Sequence, residues 1–234
     1  MARNEVVNRF PGETPAYRRA RNRLLKAEVN LRRQIEAVAA QRRKLPLGGV
    51  VEVDYVFETA APDGGTRSVR LSDLFADGKR TLLLYNFMFP ERVDSMTPCP
   101  SCTSIIDAID GAARHVAQRI NFAVIAKAPI ERLTAFAMDR GWKHLKLLSS
   151  ASNRFKNDYG AEDADGQQQP MCNVFHRTPE GIRHFWSSEM LYAPPDPGQD
   201  PRHMGTVEPL WTMMDFTREG RHDWQEQLQY GCWH

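Results

Sequence analysis

The chain has 234 residues, 41% of them hydrophobic, with 31 basic and 29 acidic side chains and a formal net charge of +2. That composition excludes general disorder and suffices for one full core plus an appendage. No apolar stretch approaches the length of a membrane-crossing helix and Met1 to Gly12 is polar, so no membrane association and no secretory signal are expected, and the expected compartment is the cytoplasm.

The near-neutral balance conceals an asymmetry. From Tyr17 to Lys44 ten Lys and Arg face only Glu28 and Glu36, a local balance of +8, whereas Leu45 to His234 carries a balance of −6. Within the basic segment Leu24, Leu25, Val29, Leu31, Ile35, Val38 and Ala39 recur at spacings near three and four, without Gly or Pro from Ala16 to Leu45. The period predicts one long amphipathic helix. Thr14 suits its N-cap, Pro15 its first turn, and Pro46 and Gly48 its stop. The chain thus divides into a basic helical arm, 1–46, and a body, 47–234. A one-sided stripe of this length must bury its face on the body or on a second copy, and a homodimer through the arm is expected. Nucleic-acid binding is disfavoured, because no aromatic residue interleaves with the charges and the acidic body would repel phosphates.

Beyond the arm the pattern becomes α/β. Val50 to Phe57 alternates as a strand through Val51, Val53, Tyr55 and Phe57, and a Gly64-Gly65 turn leads to Ser68 to Leu71. Leu71 to Phe75 reads as a short helix. Thr81 to Phe89 is an almost unbroken apolar run, the signature of a strand covered on both faces. A loop, Pro90 to Pro98, precedes a helix over Ser101 to Arg119. Then follow a strand at Ile120 to Ala126, a helix at Pro129 to Arg140 and a strand at Leu145 to Leu148. Ser149 to Gln169 is a polar stretch. Met171 to Arg177 and Ile182 to Trp186 form a hairpin about Pro179-Glu180-Gly181, Ala193 to Pro201 is a surface excursion, and Glu208 to Met214 is a last short helix.

Cys99-Pro100-Ser101-Cys102 lies between the first buried strand and its helix. Pro100 fits the first helical position, which makes Cys99 the N-cap. There its side chain faces free N–H groups and the positive end of the helix dipole, and both favour a thiolate. Cys102 stands about one turn further in, within the span that a disulfide tolerates. This predicts a dithiol/disulfide centre with Cys99 as nucleophile and Cys102 as resolving thiol. Two other readings stay open: half of a zinc site, although no second paired Cys/His knuckle exists to supply four ligands, and a pair of inert buried thiols. Cys172 and Cys232 are isolated, the seven histidines show no metal spacing, and neither metal nor cofactor is expected.

The order of elements, with CxxC at the end of a buried strand and the start of a helix, is the thioredoxin layout. Tyr17 to Leu45 with the following Val-Asp-Tyr-Val-Phe strand, Leu71-Ser72-Asp73-Leu74-Phe75, Tyr85-Asn86-Phe87-Met88-Phe89, Cys99-Pro100-Ser101-Cys102 and Ala128-Pro129 carry a wider likeness, continued by Gly141-Trp142, Asn157-Asp158-Tyr159-Gly160, Val174-Phe175 and Asp215-Phe216-Thr217. On these the chain resembles bacterial thioredoxin-like proteins of unknown function, related to the peroxiredoxin/alkyl hydroperoxide reductase group. The resemblance implies a thioredoxin-like α/β fold, a redox-type site and no established substrate. It also implies a cis-proline opposite the dithiol, for which Pro170 is the match, with Met171 presenting main-chain groups to a substrate; a trans surface proline is the alternative. Thr97 and Pro98, just before the first thiol, complete the expected substrate side. Peroxiredoxins carry a Thr three residues before the reactive Cys. Here Thr97 is two before Cys99, and Cys99 itself stands three before Cys102, so the hydroxyl is missing in either register. The expected function is thiol-disulfide exchange with a protein or small-molecule disulfide. A redox-silent docking module and a thiol peroxidase using Cys102-Thr103 remain the alternatives.

Overall fold

The computed structural model describes residues 9–75, 78–92 and 97–199, the side chain of 191 excepted, and the single positions 209, 213, 216, 217 and 227–229. Two compact units make up the chain, Met1–Pro46 and Leu47–His234. The first holds α1, Pro15–Arg43. The Thr14 hydroxyl accepts the Tyr17 N–H at 3.1 Å, Pro15 opens the helix, and Arg42 and Arg43 sit at its negative end. Leu24, Leu31, Ile35 and Val38 are exposed along it. No described helix is long and apolar enough to cross a membrane.

The second unit is built on seven strands: β1 Val56–Ala60, β2 Thr66–Arg70, β3 Thr81–Phe87, β4 Asn121–Ala126, β5 Leu147–Ser149, β6 Met171–Thr178 and β7 Gly181–Ser187. Three helices join them: α2 Pro100–Val116, α3 Ile130–Arg140 and the single turn α4 Phe155–Asp158. A 3-10 turn, Ser72–Leu74, follows β2, and another, Glu189–Tyr192, follows β7. The strands form one mixed sheet in the order β2-β1-β5-β4-β3-β6-β7. β3, β4 and β5 are parallel and linked by crossover helices, while β6 runs antiparallel to β3 and pairs with β7 as a hairpin. The portion β4-β3-β6-β7 is the thioredoxin arrangement, so the fold is thioredoxin-like, with the β1–β2 hairpin extending the far edge.

Strand alternation splits the core between the two faces of the sheet. Leu82 and Leu84 of β3 and Ala123 and Ile125 of β4 face one cluster, with Tyr55, Phe57, Phe155 and Phe175. Tyr85, Phe87, Val124 and Ala126 face the other, beneath Cys102, Ile105 and Ile106 of α2 and Ile130 and Leu133 of α3. Gly141, at φ +76°, terminates α3 in the left-handed region that suits glycine.

The alternating run expected as one strand from Val50 to Phe57 is divided instead: its first half lies along the edge strand β7 and its second half begins β1, one strand in from the opposite edge. Gly48 and Val51 donate to the His184 and Ile182 carbonyls of β7, both at 2.8 Å, and His184 returns a bond to Gly49. The paired strand begins only at Val56. Between them Asp54 accepts both the N–H and the hydroxyl of Ser72. The first half therefore covers an open edge strand, an arrangement that blocks edge-to-edge association. The polar stretch from Ser149 to Gln169 contains α4, whose Phe155 and Lys156 are both buried. The excursion after Ala193 is exposed as far as 199. The expected helix over Glu208 to Met214 lies outside the described residues apart from positions 209 and 213, and Cys232 lies outside them altogether.

Phe155 has no exposed surface and packs ring against ring with Tyr55, Phe57, Tyr159 and Phe175. Phe155→Ala is expected to lower the unfolding free energy by ~3 to 5 kcal/mol, read as a fall in the urea midpoint. A loss below about 1 kcal/mol would contradict its place in the core.

Candidate functional site

β3 leaves the core at Phe87, and the chain returns to the sheet at Cys99, whose N–H bonds the Met88 carbonyl at 3.1 Å. Cys99 is the N-cap of α2, at φ −60° and ψ 120°, with Pro100 in the first turn. Its Sγ accepts the Cys102 N–H at 3.4 Å. Thr103 bonds the Cys99 carbonyl twice, through its N–H at 2.9 Å and its hydroxyl at 2.8 Å. These contacts come from the strand end and from the first turn of the helix.

The two thiols differ in environment. Cys99 is half-buried, and Cys102 is 1% exposed. The hydrogen bond to Cys99, then burial, then the Cys99 charge hold the Cys102 thiol well above its ordinary range, while the Tyr85 hydroxyl and the Met88 N–H act the other way. Cys99 instead stands where an N–H and the positive helix end favour a thiolate. Cys172 is buried in the same cluster, and burial alone pushes its thiol up to about 12. It is an apolar packing residue at neutral pH.

Several neighbours carry signals that the sequence pattern did not assign. Tyr85 is fully buried, and its hydroxyl lies beside the Cys102 sulfur without closing a full hydrogen bond. Lys156, 1% exposed, donates to the Phe87 carbonyl at 3.0 Å and to Gln168 Oε1 at 2.7 Å. Gln168 Nε2 in turn bonds the Phe89 carbonyl at 2.8 Å. Nearby Glu162 pairs through Oε1 with Lys127 at 2.8 Å, leaving its buried Oε2 without a partner. Arg132 bonds the carbonyls of Pro90 and Glu91 and lies over the Phe89 ring at 5.6 Å. Tyr85 stands in the Tyr85 to Phe89 motif and Lys156 just before Asn157-Asp158-Tyr159-Gly160. Only the folded chain shows that Tyr85 lies beside Cys102 and that Lys156 holds the strand end next to it.

On the expected substrate side, Thr97 is exposed and Pro98 half-buried, directly before Cys99. The expected cis geometry at Pro170 is absent: the Gln169–Pro170 bond is trans. The chain enters β6 already extended, because Gln169 N–H bonds the Ala161 carbonyl at 2.9 Å and Met171 pairs at once with Asn86. Met171 is buried and its carbonyl accepts Asn86 Nδ2 at 2.8 Å. The Cys172 N–H donates to the Ser188 hydroxyl, and its carbonyl accepts the Ser188 N–H. The main chain expected to meet a substrate is thus engaged inside the fold at these groups. Among the described residues no three His, Cys, Asp or Glu side chains gather as a metal site.

The sequence model of one bacterial family matches residues 7–234. The chain belongs to that family, bacterial proteins of unknown function (DUF899). No curated protein matches it. Solved structures similar to this DUF899 member include Enterococcus faecalis AhpC, at 13% identity, covering 73% of this chain and 94% of that one with a TM-score of 0.45. Peroxidoxin BcpB from Mycobacterium tuberculosis is 19% identical, covering 70% and 95%, with a TM-score of 0.42. Reduced 2-Cys peroxiredoxin from Plasmodium vivax is 20% identical, covering 58% and 79%, also at 0.42. Likenesses this remote transfer no residue role to the DUF899 chain.

The contrast between the thiols predicts that Cys99 alkylates at least ~10-fold faster than Cys102 at neutral pH, with Cys172 unreactive until the protein unfolds. Timed iodoacetamide labelling with peptide mass spectrometry measures this. Equal labelling of Cys99 and Cys102 would contradict the assignment of the charge to Cys99.

Proposed function

We propose that this protein is a thiol-disulfide oxidoreductase. The observation that supports it is the pairing of a half-buried thiol at a helix N-cap with a buried thiol one turn inside and hydrogen-bonded to it. The Cys99 thiolate attacks one sulfur of a substrate disulfide, forms a mixed disulfide, breaks the substrate S–S bond and expels the first product thiolate. Cys102, as thiolate, then attacks Cys99 Sγ. The Cys99–Cys102 bond forms, the mixed disulfide breaks and the second product thiolate leaves. Two electrons pass from the dithiol to the substrate, and the two thiol protons end on the products. No cofactor enters the exchange, and an external thiol reductant resets the pair. The substrate, a disulfide of a protein or small molecule, approaches over Thr97 and Pro98, which directly precede Cys99. A reducing cytoplasm is the compartment that would keep the resting state a dithiol.

A peroxidase would need Cys102 to meet peroxide first, with a hydroxyl to hold it. Cys102 is buried and the Thr103 hydroxyl is bonded to the Cys99 carbonyl, which favours exchange over peroxide reduction. The docking-module alternative predicts that no Cys99–Cys102 disulfide forms at any redox poise.

With a disulfide-bearing peptide, Cys102→Ser should accumulate a mixed disulfide on Cys99, and Cys99→Ser should lose exchange by about three orders of magnitude or more. Mass spectrometry of the trapped species reads this. A peptide adduct on Cys102 in the Cys99→Ser protein, formed at the wild-type rate, would overturn the assignment.

We also propose that the arm, 1–46, pairs with a second copy through Leu24, Leu31 and Ile35. A full-length Leu24→Glu/Leu31→Glu/Ile35→Glu variant is expected to halve the mass measured by light scattering. An unchanged mass would remove the arm from assembly.

A further inference from the structure

The dithiol lies beyond the C-terminal end of β3. At the other end, where β3, β4 and β5 all begin, a cavity of about 220 Å³ opens beside the last turn of α2. Its floor is apolar: Leu74, Leu82, Ala113 and Ala123 line it and none is more than 4% exposed. The space exists because alanine stands at three of its walls, 113 and 117 at the end of α2 and 123 in β4. Lys79, His144 and Lys146 line the same cavity, the first half-buried and the other two exposed, so its mouth is cationic. Among the described residues no Asp or Glu lines it.

Both segments that bring the cations are fixed by polar side chains. Asn121, buried at the start of β4, donates through Nδ2 to the carbonyls of Lys79 at 3.3 Å and Thr81 at 3.0 Å, which ties the entry of β3 to its neighbour. Asp110 of α2 accepts the N–H groups of Lys143 at 3.0 Å and His144 at 2.8 Å through one oxygen, and the Lys146 carbonyl accepts the Val124 N–H at 2.9 Å. The chain leaving α2 turns back on the helix end. The carbonyls of Ala113 and His115 accept the N–H groups of Ala117 and Gln118, and that of Val116 accepts those of Arg119 and Ile120, so these groups at the negative end of the helix are already engaged.

A concave apolar floor under a mouth of one charge sign suits a small molecule, the floor supplying burial and the charges orientation. The volume has room for ~7 groups the size of a water, at ~30 Å³ each. From this geometry we infer that the cavity binds a small amphipathic anion, an acidic head on a compact apolar body, with the body on the alanine and leucine floor and the head between Lys79, His144 and Lys146. A bare inorganic anion leaves the floor uncovered, and a neutral apolar molecule leaves the cations without a partner in the site. Lysine acts on an acidic head as a point charge, and partial enclosure strengthens that attraction over its value in open water. The site is separate from the dithiol: the seven residues of β3, ~20 Å of extended chain, lie between the cavity and the loop that leads to Cys99.

The test titrates the reduced full-length protein with benzoate and with phenyl phosphate, following the NMR signals of the Ala113, Ala117 and Ala123 methyl groups and of the His144 ring. These signals are expected to move together along one saturation curve with at least one probe, at a dissociation constant of ~1 to 10 mM for ligands of so few atoms. The tighter probe names the head group. Benzamide, which keeps the ring without the charge, and inorganic phosphate, which lacks the body, should each bind ~10-fold more weakly or worse. Lys79→Ala/Lys146→Ala is expected to weaken the tighter probe by ~10-fold. Ala117→Leu, which fills the cavity from an exposed position at the end of α2, should abolish its binding. Both variants lie at the far end of β3 from the dithiol, so an unchanged alkylation rate at Cys99 checks that each is folded. No saturation by ~50 mM of either probe, several times the expected constant, overturns the inference. So does benzamide binding as tightly as benzoate, or an unchanged affinity in either folded variant.

Discussion

The backbone hydrogen bond from Cys99 N–H to the Met88 carbonyl ties the end of the central strand to the start of the helix that follows it. The site depends on that tie. It sets Cys99 in extended geometry at the N-cap, so that α2 can begin at Pro100 and the Cys102 N–H can reach the Cys99 sulfur. Because β3 is paired on both sides, to β4 and to β6, the strand end cannot drift without breaking the middle of the sheet. The two thiols are thereby anchored to the end of the central strand.

The same constraint explains why so many polar groups are buried nearby. A parallel strand that ends inside the core leaves carbonyls without sheet partners, and such groups must be met by side chains. Lys156 and Gln168 meet those of Phe87 and Phe89, and Asn86 spans to Met171 and Asn173. Burying a lysine amine is costly as an ion and mild as a neutral base, so its charge becomes responsive to what lies beside it. Tyr85, uncharged and without a closed hydrogen bond in the dithiol state, is the complementary element: a donor held ready beside the Cys102 sulfur.

At the sheet margins a different pressure acts. The hairpin partner β7 would present an open edge, and residues 48–51 close it through three main-chain bonds. The opposite edge is formed by the short, polar strand β2, where only Val69 is buried. The edges are thus covered or polar, and the reactive strand lies in the middle.

Local chemistry was legible in the sequence. Thr14 and Pro15 open α1, Cys99 and Pro100 open α2, Gly141 closes α3, and the apolar run from Thr81 marks the central strand, because each signal is written within a few residues of the feature it sets. The thiol pair and its thioredoxin-like setting were legible for the same reason. What tertiary structure decided involves partners far apart in the chain. The alternation from Val50 to Phe57 looks the same whether it forms one strand or is shared between the edge of β7 and the start of β1, and only the presence of β7 divides it. Pro170 enters β6 trans, and only the fold shows that Asn86 and Ala161, distant in sequence, engage the residues on either side of it. Lys156 reads as one more charge in a polar stretch until folding brings it to the Phe87 carbonyl, 69 positions away. Period and caps are properties of a segment, whereas the burial of a charge is a property of the space that the rest of the chain encloses.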